Sequence, residues 1–249
     1  MIDNISVVII TKNASSTIGE TLSSLKDFKE IIIYDSGSID NTLDIVNSYH
    51  NTFLYSGDFF GFGNTKNHAI SLASNDWIFS LDADESISDE LIKSLNDFHL
   101  EPKLVGQVLR KNFFMGKEMN TSGWNRDKLI RLFNRNDFRF SKLKVHEKVE
   151  VDYSAKIIDL KGCINHFAIT NIFQTLEKAN LYSELYASES KKLYPLIVIL
   201  LKAIYAFFRT YFLQKGFLSG WRGLVLAFSN SVGVFYKYIK IYAEHKTKK

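Results

Sequence analysis

The chain has 249 residues, 46% of them hydrophobic, and carries 31 Lys+Arg against 27 Asp+Glu. That is enough for one large core, or one domain with an appendage. Its single cysteine, Cys163, excludes a disulfide framework and a cysteine-rich zinc site, and is read as a buried small hydrophobe.

The charge is unevenly spread. Residues 191–249 hold 11 Lys+Arg and 1 Asp+Glu, whereas the rest holds 20 and 26. A basic tail on an acidic body points to an anionic partner surface, lipid headgroups or nucleic acid. The N-terminus, Met1-Ile2-Asp3-Asn4, has no basic region and no cleavable apolar stretch, so a cytoplasmic location is expected.

The first hundred residues alternate strand and helix. Apolar β-branched runs at 5–10, 30–34 and 76–81 predict strands, and periodic patterns predict helices over 17–27, 40–49, 64–74 and 88–97. Asp40 and Ser88 are placed as N-caps. This rhythm predicts an α/β fold with a doubly wound, mostly parallel sheet and ligands at the carboxyl ends of its strands. Thr11-Lys12-Asn13, Asp35, Asp82 and Asp84 all fall at such ends. Residues 104–167 read as short strands alternating with turns, and the chain reads as helical from about 171 onward. The expected organisation is a first half over 1–110, a second half of the same domain over 111–170, and a basic amphipathic helical extension over 171–249. Pro102 and Pro195 fall near the boundaries.

Asp82-Ala83-Asp84 ends the apolar run Trp77-Ile78-Phe79-Ser80-Leu81. Two carboxylates about 4 Å apart repel by roughly 4 kcal/mol at an effective dielectric of 20. A divalent cation relieves that, and oxygen pairs of this kind suit Mg²⁺ or Mn²⁺ with positions left for phosphate oxygens. The plainer alternative is an Asp-rich turn. Asp35-Ser36-Gly37-Ser38-Ile39-Asp40-Asn41-Thr42 is a strand-to-helix turn in which Asp35 either accepts hydrogen bonds from a base or ribose, or simply shapes the turn. Gly61-Phe62-Gly63 lacks a third glycine in register and is no dinucleotide fingerprint. Lys66, just beyond, is either a phosphate contact or a solvated helix-face lysine.

Together these segments resemble the family 2 glycosyltransferases of the GT-A fold. Val8-Ile9-Ile10-Thr11-Lys12-Asn13, the 35–42 turn, Lys66-Asn67 and Leu81-Asp82-Ala83-Asp84-Glu85 carry the resemblance in order and spacing. It implies nucleotide-sugar contacts at Thr11, Asn13, Asp35, Lys66 and Asp82. It implies a metal at Asp84, with Asp82 shared between metal and ribose. The family usually has Arg where Lys66 stands, which keeps the charge but not bidentate contact.

The second half lacks the Glu-Asp pair in which many relatives place their base. Val145-His146-Glu147 stands instead, after Trp124 and Arg131-Leu132-Phe133. With Lys215-Gly216-Phe217 and Gly220-Trp221-Arg222-Gly223-Leu224, this resembles the lipopolysaccharide core β-glucosyltransferase subgroup. Glu147 is the first candidate for general base and His146 the second; on a strand they point to opposite faces. Trp124 is either a sugar-stacking platform or a core residue. Arg131 and Arg222 are candidate acceptor or donor phosphate contacts, or ordinary surface arginines. No Gln-x-x-Arg-Trp signature of processive synthases occurs, which implies one sugar added per acceptor.

Pro195 to Leu213 is rich in Leu, Ile and Phe and approaches the length that spans a bilayer. Lys202 and Arg209 fall on one helical face with Tyr205, which predicts an interfacial helix and not a spanning one. A second helix near 224–244 places Phe228, Val232, Phe235, Ile239 and Tyr242 on one side. Docking on the domain or on another subunit is the alternative. Nucleic acid is disfavoured, because the basic residues are interleaved with aliphatics. The function expected is metal-dependent, inverting transfer from a UDP-sugar, glucose by resemblance, to a lipid-linked saccharide such as a lipopolysaccharide inner core, on the inner face of the cytoplasmic membrane. A nucleotidyltransferase and an inactive membrane-docked binding protein are the alternatives.

Overall fold

The computed structural model describes residues 1–141, 147–190 and 192–247. His146, the second candidate base, lies outside the described residues. The chain divides into two compact units, one formed by Met1–Lys111 with Asp127–Phe167, the other by Asn112–Arg126 with Ala168–Lys249.

The first unit is built on strands β1 (Ile5–Thr11), β2 (Ile31–Asp35), β3 (Thr52–Ser56), β4 (Trp77–Asp82) and β5 (Glu85–Ile87). It adds the unit's stretches of β6 (Leu104–Phe114) and β11 (Lys156–Ile169), with β8 (Asp127–Asn134). Two-residue strands β9 (Arg139–Phe140) and β10 (Val149–Glu150) complete the set, while β7 (Lys117–Glu118) belongs to the second unit. The main sheet has the order β3-β2-β1-β4-β8-β6-β11-β5. Its β3-β2-β1-β4 part is parallel, while β4 pairs β8, β8 pairs β6, and β11 pairs β5 antiparallel. The sheet is therefore the expected α/β arrangement with an antiparallel half added.

Side-chain alternation divides the core between the two faces. Val7 and Ile9 pack with Ile18 and Leu22 of α1 (Ile18–Ser23), Val46 of α2 (Thr42–Asn47) and Leu91 of α4 (Asp89–Asn96). Val8 and Ile32 pack on the other face with Ala69 and Ile70 of α3 (Phe62–Ser71), Phe133 and Phe140. Burial on both faces explains why β1, β2 and β4 read as unbroken apolar runs.

Several elements depart from the sequence reading. β3 was not expected: it is the sheet's edge, its Phe53 and Tyr55 are exposed, and its apolar run is only three residues long, Phe53-Leu54-Tyr55. Residues 104–169 hold two long strands, of 11 and 14 residues, where short ones were expected. β6 is interrupted by a register shift between Gly106 and Gln107, which hides its period. Asp40 is not the N-cap of α2. Asn41 holds that position, and the Asp40 carboxylate instead accepts from the Thr42 amide. Ser88 caps α4 as expected, accepting from the Leu91 amide at 3.3 Å. Its Oγ also accepts from the amide of the buried Cys163 at 3.0 Å, which ties β11 to the helix start.

The second unit holds α5 (Phe173–Glu189) and α6 (Leu196–Phe208), the latter running into a π-helical turn, Arg209–Leu213. A 3₁₀ turn, Gly216–Ser219, leads into α7 (Trp221–Thr247). α6 packs on α7 through Phe207 and Phe228, and through Ser231, whose hydroxyl donates to the Ala203 carbonyl at 2.8 Å. α5 is held to α7 by Lys240, which donates to Asn180 and Ser183 at 2.8 Å each.

Gly162 has φ +87, and a Cβ there would lie 2.4 Å from the Leu91 amide nitrogen. Gly162→Ala should therefore lower stability by about 2 kcal/mol or more, read as a fall in the urea midpoint at unchanged slope.

Candidate active site

Parallel pairing sets Thr11 opposite Asp35 and Ile10 opposite Asp82, so three strands end together. The loops after β1 and β2 are laced to one another. Asn13 donates its amide to Ser38 Oγ at 2.8 Å, and its side-chain oxygen accepts from the Ile39 amide at 2.9 Å. The Ala14 amide donates to Thr42 Oγ1 at 2.8 Å, and the Ser15 amide to Asp40 at 3.1 Å. Burial would push the Asp40 carboxyl up, but hydrogen bonds from Thr42 and Ser15 reverse this and lower it to about 2. Asp35 is buried and accepts from the Gly37 and Ser38 amides at 2.9 Å each, and from the Ser38 hydroxyl. Its geometry is that of the well-made turn. Thr11 is buried, and its hydroxyl has no hydrogen-bond partner among the described residues.

Beside these loops sits a chain of charges. Lys66, on α3, is buried and places its ammonium 2.8 Å from Asp82 Oδ1 and 2.8 Å from Glu147 Oε1. Arg131, on β8, is also buried and donates to Asp82 Oδ2 at 2.9 Å and to Glu85 Oε1 at 2.7 Å. Glu85 is fully buried, accepts from the Asp82 amide at 3.0 Å, and lies 3.4 Å from Arg110. Arg110 in turn grips Asp127 through two hydrogen bonds, of 3.1 and 2.8 Å. Burial would lower the Lys66 ammonium, but Asp82 and Glu147 more than offset it and raise it above the ordinary lysine value. Burial would likewise raise the Asp82 carboxyl, yet Lys66 and Arg131 hold it well below the usual carboxylate range. Arg131 stays charged, because Glu85 and Asp82 outweigh its desolvation.

Asp84 stands two residues after Asp82. Its Oδ2 lies 3.5 Å from His166 Nε2, and both side chains are partly exposed. A cation on a diphosphate needs only one or two protein ligands, with phosphates and water completing the shell. Among the described residues no group of three or more His, Cys, Asp or Glu could hold a metal alone. A carboxylate beside an imidazole fits the smaller requirement and suits Mn²⁺. Asp82 fits it less well, because each of its oxygens already meets a cation.

The structure thus brings together Lys66, Asp82, Glu147 and Arg131, and ties Thr11, Asn13 and Asp35 into the adjoining loops. Arg131 is an internal brace and not a surface arginine. Trp124 and Arg222 belong to the second unit. There Trp124 packs edge-on against Phe114 at 5.6 Å, and Arg222 donates to the Met115 carbonyl at 3.1 Å. His166, Glu85, Arg110 and Asn67 received no role from the sequence. His166 is brought opposite Glu85 by antiparallel pairing of β11 with β5, a non-local contact with no sequence signal. Asn67 binds the Phe140 backbone amide and carbonyl at 2.9 Å each, holding β9 against α3. A cleft of about 520 Å³ lined by Lys93, Phe98, His99 and Lys161 holds none of these acids.

Comparison with known proteins places these residues in a family context. The model of Glycosyl transferase family 2 matches residues 6–153. An uncharacterized glycosyltransferase of Rickettsia prowazekii is 30% identical over 237 residues, covering 89% of this chain and 80% of that protein. The lipopolysaccharide core biosynthesis glycosyltransferase LpsC of Rhizobium meliloti is 29% identical over 258 residues, covering 98% of this chain and 94% of that protein. Among solved structures, S. aureus TarS is 18% identical with a TM-score of 0.47, covering 84% of this chain and 44% of that one, so this chain spans less than half of TarS.

Two outcomes follow from the charges. Arg131→Ala leaves the buried Glu85 without its nearest cation and should cost about 3–5 kcal/mol in denaturant unfolding, whereas Arg131→Met with Glu85→Leu should cost much less. Asp40 has its carboxyl lowered in the fold, so its contribution to stability is full above about pH 4 and is lost as pH falls towards 2. Asp40→Asn should flatten the acid limb of a thermal-melt pH series in that window.

Proposed function

The chain belongs to glycosyl transferase family 2, with an α/β fold of GT-A type and a C-terminal helical part, and from that premise we propose that it moves a sugar from a UDP-sugar, glucose by resemblance, to the growing saccharide of a lipopolysaccharide core. The family is inverting. The likeness to LpsC along nearly the whole of both chains supports the saccharide acceptor. The absence of the processive signature supports one addition per acceptor.

The observation that carries the reading is the Lys66 ammonium held at 2.8 Å from both Asp82 and Glu147. Inversion needs a carboxylate that takes the acceptor proton as the hydroxyl oxygen attacks the anomeric carbon from the side opposite the departing diphosphate. Glu147 is that base, and Lys66 fixes its position. Asp82, oriented by Lys66 and Arg131, faces the ribose side of the donor. Thr11, Asn13 and Asp35 form the laced rim on which the nucleotide lies. Arg131 is a positioning residue for Asp82, and Trp124 and Arg222 brace the second unit. Asp84 and His166 would hold the divalent cation, Mg²⁺ or Mn²⁺, whose chemistry is to offset charge gathering on the departing diphosphate.

UDP release from UDP-glucose, with truncated lipopolysaccharide core as acceptor, tests the reaction. Turnover should vanish with chelator and return with Mn²⁺, and no release from any UDP-sugar would overturn the proposal. Glu147→Gln should lower turnover by about 10²–10⁴-fold while donor affinity is kept. A larger loss in His146→Ala than in Glu147→Gln would move the base to His146. Asp84→Asn and His166→Ala should each raise the Mn²⁺ concentration needed for half-maximal rate by about tenfold or more.

A further inference from the structure

The second unit turns a long apolar surface outward. On α6, Ile197, Leu201, Ile204 and Phe208 are all exposed and recur at helical spacing, so they form one stripe. The stripe continues into the turn after the helix, where Leu213 is 71% and Leu218 63% exposed. The opposite side of α6 is occupied: Ile199, Ala203 and Ala206 are buried, and Asn230 of α7 donates to Thr210 at 2.7 Å.

Lys202 was expected on an exposed charged stripe. Its ammonium instead sits over the Tyr194 and Tyr238 rings, at 4.6 and 5.3 Å, within the unit. The outward stripe is therefore more apolar than the sequence implied. Positive charge is concentrated at its end. Residues 209–222 contain Arg209, Lys215 and Arg222 and no acid. Arg209 and Lys215 are exposed, and Arg222 stacks on the exposed Trp221 ring at 4.6 Å.

We infer that this stripe and the turn from Arg209 to Trp221 dock on an anionic phospholipid bilayer, with Leu213 and Leu218 entering the acyl boundary and Arg209 and Lys215 meeting the headgroups. Charge complementarity selects this occupant. A second copy would set one basic turn against another, because residues 209–222 contain Arg209, Lys215 and Arg222 and no acid. A tryptophan beside arginine suits the water–lipid boundary. Leu196–Leu213 is long and apolar enough to cross a bilayer by length and composition. Its buried side against α7, whose other contacts use Lys237 and Lys240, assigns it to the interface and not to a crossing.

Flotation of the purified full chain with vesicles tests the assignment, and it is read without substrate, so it stands or falls apart from the transfer reaction. The protein should float with phosphatidylcholine vesicles containing phosphatidylglycerol and not with phosphatidylcholine alone, and added salt should release it. Leu213→Ser with Leu218→Ser should weaken binding by more than about tenfold. Arg209→Glu with Lys215→Glu should do the same. Both pairs are exposed, and an unchanged circular dichroism melt confirms that the fold is kept. Three outcomes would overturn the inference: no flotation with anionic vesicles, equal flotation with neutral ones, or retention in alkaline carbonate, which marks a spanning helix. A fourth is that the leucine variant alters only sedimentation of the free protein, which marks self-association.

Discussion

Asp82 carries its negative charge at the end of a buried strand because two cations from different elements close on it, Lys66 from α3 and Arg131 from β8. Taking any of these groups out of water is costly, and the cost is recovered only when all are present and in register. Glu85 extends the same requirement inward. Fully buried, it is tolerated through Arg131, Arg110 and the Asp82 amide. The local fold is thereby obliged to bring α3, β4, β5, β6 and β8 to one place.

That constraint has a chemical use. The same lysine that neutralises Asp82 holds Glu147, so the acid nearest the donor end of the proposed reaction and the proposed base share one cation. A carboxylate fixed in this way needs little reorganisation when an acceptor hydroxyl arrives. Asp84, only two residues from Asp82, pairs instead with His166, so neighbouring acids of one motif meet different partners.

The second unit follows a different physical rule. Its helices are fastened by polar ties such as Lys240 with Asn180 and Ser183, and by tyrosine rings that hold Lys202 and Lys237. Inward use of lysines leaves leucine and phenylalanine on the outside. A surface of this kind is stable in water only at a cost, which a lipid surface removes. Residues 112–126 fold with this unit although they lie between strands of the other.

The β-α-β rhythm, the strand ends at Thr11, Asp35 and Asp82, the Ser88 cap and the helical tail were legible in the sequence, because each is written in local periodicity or in a short motif. The edge strand β3 and the full lengths of β6 and β11 were not. The exposed edge carries only a three-residue apolar run, and a register shift breaks alternation. Asp35 illustrates the boundary: its motif was plain, but only the fold revealed that its oxygens serve its own turn. The sequence by itself determined which acids stand at which strand ends and which family the chain resembles. Only tertiary structure decided that Lys66 bridges Asp82 to Glu147, that Arg131 is an inner brace, and that His166 meets Asp84. Those pairings join residues tens of positions apart, and their energy depends on burial and register, quantities that no stretch of sequence contains.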